Sequence, residues 1–175
     1  MEIGYFVLND GRKVELPEGI EVLNQALVSP YQESLVEVYV PDSVVVIGDN
    51  AFANCQELRK LDCLYAYNLQ YIGKSAFDTT GITGLDLRGS DVRYIGNLAF
   101  YECSNLLKVE LSDHLEMLGT ACFAWCENLL KVDFRGAKVV VGQDAFAHCN
   151  ELSRVDGGYF LSINEDGNDA LNNLL

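Results

Sequence analysis

The side chains in this sequence that could do chemistry are two histidines, six cysteines and a large surplus of carboxylates. His114 and His148 have no Ser or Cys nucleophile motif, no phosphate-cradling glycine loop and no H-E-x-x-H string beside them, so neither has the neighbours that hydrolytic catalysis requires. Cys122 and Cys126, with His148 in the following unit, come nearest to a metal-ligand set. They lack the paired C-x-x-C spacing of a structural zinc site, and the metal reading is rejected. His148, between Ala147 and Cys149, reads instead as a solvated position. The carboxylates are scattered and never isolated as a pair, which removes the arrangement that acid and base catalysis uses. The expectation is a protein that is not an enzyme and has no catalytic residue, metal or cofactor.

The net charge of −14, from 26 acidic and 12 basic residues, favours solubility and repels nucleic acid phosphate and anionic lipid alike. Direct nucleic-acid binding is therefore not expected. No apolar run approaches the roughly 20 residues needed to cross a bilayer, which argues against membrane insertion. Met1 to Val22 alternates apolar and charged residues without the basic region and apolar stretch of a secretory signal, and so points to a cytoplasmic chain as written.

The elements that must position these residues follow from a repeat. The strings Ile47-Gly48-Asp49-Asn50-Ala51-Phe52, Ile72 to Phe77, Ile95 to Phe100, Leu118 to Phe123 and Val141 to Phe146 recur at offsets of 25, 23, 23 and 23 residues. After each Phe comes a segment of the pattern L-x-x-L-x-L, as in Leu58 to Cys63, Ile82 to Leu87, Leu106 to Leu111, Leu129 to Phe134 and Leu152 to Gly157. Leu35 to Val40 fits the same slot. Val14 to Pro17, 24 residues ahead of Val38 to Pro41, suggests a degenerate opening unit with Asn24 where the others carry Gly. Asn tolerates a left-handed backbone, so the turn is expected to survive the change.

Stacked units bury a common core, and Phe52, Phe77, Phe100, Phe123 and Phe146 should form one aromatic column within it. Cys55, Cys103, Cys126 and Cys149 share another repeat position, which makes them a column of buried thiols rather than a crosslinked framework. Cys63 ends a strand on its inward side, and Cys122 holds the small-residue slot before a Phe.

At these residues the sequence resembles the BspA-like leucine-rich repeats, whose units read V-x-I-P-x-S-V-x-x-I-G-x-x-A-F-x-x-C-x-x-L. Val38-Tyr39-Val40-Pro41-Asp42-Ser43-Val44, with Ile47-Gly48, Ala51-Phe52, Cys55 and Leu58, follows that string closely. The resemblance covers residues 35–156 strongly and 14–34 weakly. Thr80 stands at the Cys position of one unit, which is also one residue short before Ile82. The resemblance implies a leucine-rich-repeat solenoid, β-rich, with parallel strands on the concave face and short helical turns or extended segments on the convex face. It also implies use in adhesion or protein recognition, with a cell-surface or secreted location as the alternative to the cytoplasm.

Residues 1–34 read as an N-terminal cap of a hairpin and the degenerate repeat, 35–156 as the array of about 23-residue units, and 157–175 as a C-terminal cap and tail. Strand side chains alternate, so the third and fifth positions of L-x-x-L-x-L face outward. The third positions give a basic ladder of Lys60, Lys108, Lys131 and Arg154. The fifth positions give an acidic one of Asp62, Asp86, Glu110, Asp133 and Asp156. These nine are the candidate partner-binding residues, although two such ladders can also simply neutralise each other. Trp125, Tyr71, Tyr94 and Tyr101 form a candidate aromatic margin, with packing against neighbouring loops as the other reading. The function expected is a non-catalytic protein-interaction or adhesion module with a protein partner. The alternative is an acidic inhibitor that imitates nucleic acid on its outer face. An incomplete cap after Gly157-Gly158 would invite weak self-association through the C-terminal edge.

Overall fold

The protein is described from a computed structural model covering residues 3–163 together with Leu171, Asn173 and Leu174. The polar stretch Asn164 to Asp169 and most of the tail from Ala170 lie outside the described residues. The chain opens with β1 (Tyr5–Leu8), β2 (Lys13–Glu15), β3 (Val22–Leu23) and the one-turn helix α1 (Gln25–Val28), followed by a 3-10 turn at Ser29–Tyr31. Two kinds of strand then alternate. One kind is β4 (Leu35–Tyr39), β6 (Lys60–Asp62), β8 (Gly84–Asp86), β10 (Lys108–Glu110), β12 (Lys131–Asp133) and β14 (Arg154–Asp156). The other is β5 (Val46–Ile47), β7 (Tyr71–Ile72), β9 (Tyr94–Ile95), β11 (Met117–Leu118), β13 (Lys138–Val141) and β15 (Tyr159–Ile163).

Each coil gives one strand to each side of a parallel solenoid. The first side holds the strands of the L-x-x-L-x-L segments, in two four-stranded sheets, β2-β1-β4-β6 and β14-β12-β10-β8. The other side, expected only as helical turns or extended pieces, is a continuous seven-stranded sheet from β3 to β15. Its strands are short because a Gly ends most of them, and a two-residue strand gives almost no periodicity signal in sequence.

The core is the set of stacked inward columns. The five phenylalanines lie nearly parallel, with centroids 5.0, 5.1, 5.1 and 5.5 Å apart. Phe6 closes the first end edge-on at 6.1 Å from Phe52. At the other end Phe134 meets Phe146 at 6.4 Å, and Phe160 meets Phe134 at 5.0 Å, both edge-on.

The repeated glycines have a different role from the one expected. None of Gly48, Gly73, Gly96, Gly119 and Gly142 has a positive φ, and Asn24 is extended at φ −127° and ψ 167°. Asn24 instead caps α1, its side chain accepting from Leu27 N–H at 3.0 Å. The glycines are there for close approach. A Cβ on Gly73, Gly96, Gly119 or Gly142 would lie 2.5 to 2.7 Å from backbone atoms of the preceding coil, whereas one on Gly48 would come no nearer than 3.3 Å, to Leu23 O. The opening unit carries Asn24 rather than Gly because no coil precedes it.

Left-handed geometry falls at two other positions of each coil. Asn50, Ser75, Leu98, Ala121 and Asp144 precede the Ala-Phe or Cys-Phe pair, and Asn54, Thr79, Glu102, Trp125 and His148 follow it, all with φ between 50° and 62°. Such φ values disfavour Leu, Glu and Trp sterically. The gain is hydrogen bonding: the N–H groups of Asn54, Thr79, Glu102 and Trp125 donate to carbonyls of the next coil at 2.8 to 2.9 Å. Phe52, Phe77, Phe100 and Phe123 do the same at 2.7 to 2.8 Å, so the stretch between the two sheets is also bonded from coil to coil.

The opening unit departs from its expected place in one respect. Its segment β2 does not lie against β4, because β1 runs between them, antiparallel to both. Only β3 joins the parallel array, paired with β5.

The expected outcome of Gly119→Ala is a loss of about 1–3 kcal/mol of stability from forced overpacking, with Gly48→Ala close to neutral. Urea unfolding of the two variants measures this, and equal losses would contradict the close-approach account.

Candidate functional site

The two ladders stand in register on the first side. Lys131 is the Cα partner of Lys108 and of Arg154, and Asp133 is the partner of Glu110 and of Asp156. Glu37 and Tyr39 lie beside Lys60 and Asp62. All four ladder cations are held by a ladder acid. Lys60 reaches Asp62 at 3.0 Å, Lys108 reaches Glu110 at 2.7 Å, Lys131 reaches Asp156 at 2.8 Å, and Arg154 reaches Asp156 at 2.9 Å. Arg88, which the ladder reading omitted, spans Asp86 at 2.6 Å and Glu110 at 3.1 Å. It follows Asp86 by two residues in the turn after β8, and the Asp-x-Arg spacing is its signal in the sequence.

The acids also have a local structural task. Asp62, Asp86 and Asp133 each accept the backbone N–H two residues on, at 2.9 to 3.0 Å, closing the turn that leaves the strand. The Arg88 guanidinium bonded to Asp86 holds that carboxyl below the usual carboxylate range, and Lys131 and Arg154 do the same for Asp156. Hydrogen bonds from Lys60 to Tyr39 and Asp62 raise the ammonium's pKa and keep it charged.

No strand pairing joins β6 to β8, which is why the first side splits into two sheets. The cause is the irregular coil between them. It has extra residues after Cys63 and is one residue short at Thr80-Gly81, where the Arg59 side chain lies across Gly81 and donates to Gln56 O. An open groove of about 570 Å³ results, lined by Lys60 to Leu64, Asp86, Arg88, Gly89 and Arg135. Three of the nine candidate residues, Lys60, Asp62 and Asp86, border it.

The aromatic margin is not one surface. Tyr71 and Tyr94 stand on the seven-stranded sheet, whereas Tyr101 and Trp125 lie in the turns flanking the cysteine column. Trp125 is 39% exposed and stacks on His148 with centroids 3.8 Å apart, so His148 is exposed but not merely solvated. His114 Nδ1 lies 3.1 Å from Asp91.

The six cysteines are free and buried. Cys103, Cys126 and Cys149 donate to the carbonyls of Phe77, Phe100 and Phe123, one coil back, at 3.1 to 3.2 Å. Thr80 fills the same column and lies 3.3 Å from Cys103 Sγ. Burial pushes the thiols of Cys55, Cys63 and Cys149 up to about 12 and that of Cys103 up to about 11. Thiols so placed remain protonated and unreactive. Among the described residues, no group of three or more His, Cys, Asp or Glu could hold a metal ion. No helix among them is long and apolar enough to cross a membrane.

The sequence model of the BspA type leucine rich repeat region matches residues 29–153 in six copies. The structure is similar to a leucine rich repeat protein of T. pallidum, at 24% identity and a TM-score of 0.67 over 82% of this chain and 66% of that one. A leucine-rich repeat protein of Bacteroides ovatus has 24% identity and a TM-score of 0.54, over 86% of this chain and 43% of its own length. A leucine rich cell surface protein of Faecalibacterium prausnitzii has 21% identity and a TM-score of 0.54, over 85% and 45%. At these identities the likeness is one of fold. This chain spans about two thirds of the first and less than half of the other two. No curated protein matches the sequence.

Because Asp86 is depressed in the folded chain, its contribution to stability is complete at neutral pH and is lost as the pH falls through the folded-state value. Replacing Arg88 by Gln is expected to raise the Asp86 carboxyl pKa toward the ordinary value and to weaken this acid dependence. Carboxyl-carbon NMR titration reads the change directly, and an unmoved Asp86 would contradict the assignment.

Proposed function

Because the chain belongs to the BspA-type leucine-rich repeat family, we propose that it is a non-catalytic recognition module whose charged strand face binds a protein partner. The observation that carries the reading is the relative reach of the ladder charges. The side chains of Lys60, Lys108 and Arg154 are 48%, 52% and 66% exposed, against 23%, 14% and 32% for Asp62, Glu110 and Asp156. Lys131 is level with Asp133, at 25% and 23%, and Asp86 is 51% exposed, so on a chain of net charge −14 this face presents its cations outermost at three of its strands. A partner surface carrying an acidic strip is complementary to it, with the coil spacing setting the register. The β6 to β8 groove interrupts the ladder and gives a concave point where a partner side chain can lodge.

The fold supports this role through rigidity, since the ladder sits on strands held by bonded neighbours rather than on loops. The buried thiols and paired carboxylates supply neither a nucleophile nor an acid and base pair. The F. prausnitzii protein is described as a cell surface protein. The same setting, with adhesion or recognition as the task, is our proposal for this chain.

The test is capture from a lysate of the source organism on immobilised protein, with and without Lys108→Gln, Lys131→Gln and Arg154→Gln together. The expected result is that proteins enriched by the parent chain are lost from the triple variant and at high salt, while duplex DNA does not compete. The thermal midpoint of the variant should change little, because exposed pairs contribute weakly. Retention of the same proteins by a folded triple variant would contradict the proposal.

A further inference from the structure

The outward residues of the first six strands of the seven-stranded sheet form a second ladder, mainly apolar, which Ser162 of β15 continues beyond Val140 and in which the Tyr94 hydroxyl donates to Glu116 Oε2 at 2.6 Å. Val22, Val46, Tyr71, Tyr94, Met117 and Val140 are successive Cα partners across β3, β5, β7, β9, β11 and β13. Val22, Tyr71, Tyr94 and Met117 are 42%, 37%, 41% and 45% exposed, and Val46 and Val140 are half-buried. At a strand spacing of about 4.8 Å the stripe is about 24 Å long. A contiguous exposed apolar surface on a charged protein marks a contact site.

Charge and order select the occupant. The residues flanking the stripe, one before and three after each ladder position, include three carboxylates and two cations, Glu21, Glu116 and Asp49 against Arg93 and Lys74. Their sum of −1 is a small part of the −14, so another copy of this acidic chain meets little repulsion here. Over the six strands β3 to β13, leaving Ser162 of β15 outside, the ladder is also close to palindromic in size: Val, Val, Tyr, then Tyr, Met, Val. A two-fold axis parallel to the strands and between β7 and β9 reverses the ladder on a second copy. Tyr71 then faces Tyr94 of that copy, Val46 faces its Met117, and Val22 faces its Val140.

The same operation pairs the flanking columns without setting like charges opposite each other, an arrangement that would destabilise the contact. Arg93 comes level with Gln70 of the second copy, Glu116 with Val45, Lys74 with Asn97, Asp49 with Thr120, and Glu21 with Val139. We propose that this face binds a second copy of the chain in an isologous dimer centred on Tyr71 and Tyr94, its two sheets packed at about 10 Å. The dimer leaves the charged face on the other side of each solenoid free, and does not depend on the partner proposed for it.

The test is sedimentation equilibrium of the full chain from micromolar to millimolar concentration, with amide chemical-shift mapping over the same range. The mass is expected to rise reversibly from 19.4 kDa toward twice that value. Concentration-dependent shifts should be confined to the apolar ladder and its flanking columns. Tyr71→Lys and Met117→Lys should each weaken association by at least about tenfold, as expected for residues at the centre of a contact, and Lys108→Gln should leave it unchanged. A constant mass of 19.4 kDa would overturn the proposal. So would association that survives both ladder variants and is lost with Leu161→Lys, which places the contact on the terminal strand β15. If a lysine variant fails to fold, the shift map of the parent chain decides alone.

Discussion

The structure depends on how closely one coil can lie on the next. At Gly73, Gly96, Gly119 and Gly142 a backbone segment occupies the space that a Cβ would need, 2.5 to 2.7 Å from the preceding coil. That contact sets the coil separation, and the other columns conform to it. The phenylalanine rings stack at 5.0 to 5.5 Å, and the cysteine thiols reach carbonyls one coil back. The left-handed residues turn their N–H groups along the axis toward the next coil. The strain at Leu98 and Trp125 is tolerated because the hydrogen bonds of buried backbone would otherwise go unmade.

Function inherits the same constraint. Outward side chains repeat at the coil spacing, so any residue type that recurs becomes a ladder. On the first side recurrence gives a column of cations beside a column of carboxylates, and on the second it gives a mainly apolar stripe. Both are rigid because the backbone beneath them is bonded from coil to coil. The irregular coil breaks this regularity once, at β6 and β8, and the groove there is the local result.

The parts legible in sequence were those that repeat in composition. The phenylalanine and cysteine columns, the strand register and both charge ladders follow from counting offsets, because each occupies a fixed position in the unit. The glycines were legible as positions but not as a mechanism. Chain reversal and close approach both select Gly, and only the coordinates separate them. Asn24 misled for that reason: it suits a left-handed turn, yet it caps a helix. The seven-stranded sheet was hidden because two-residue strands lack a measurable period. Arg88 was missed because it lies one turn beyond the ladder columns. The aromatic margin divides between two places because Tyr71 and Trp125 belong to different stretches of the coil, a distinction that composition does not carry.

Hydrogen exchange of the backbone amides tests the coil-to-coil account most directly. The N–H groups of Thr79, Glu102 and Trp125 belong to partly exposed residues in turns, where rapid exchange would be the ordinary behaviour. If they donate to the next coil as the structure shows, they should exchange as slowly as Phe77, Phe100 and Phe123 and open only with the array. Rapid exchange at these three turn positions, with protection confined to the two sheets, would contradict it.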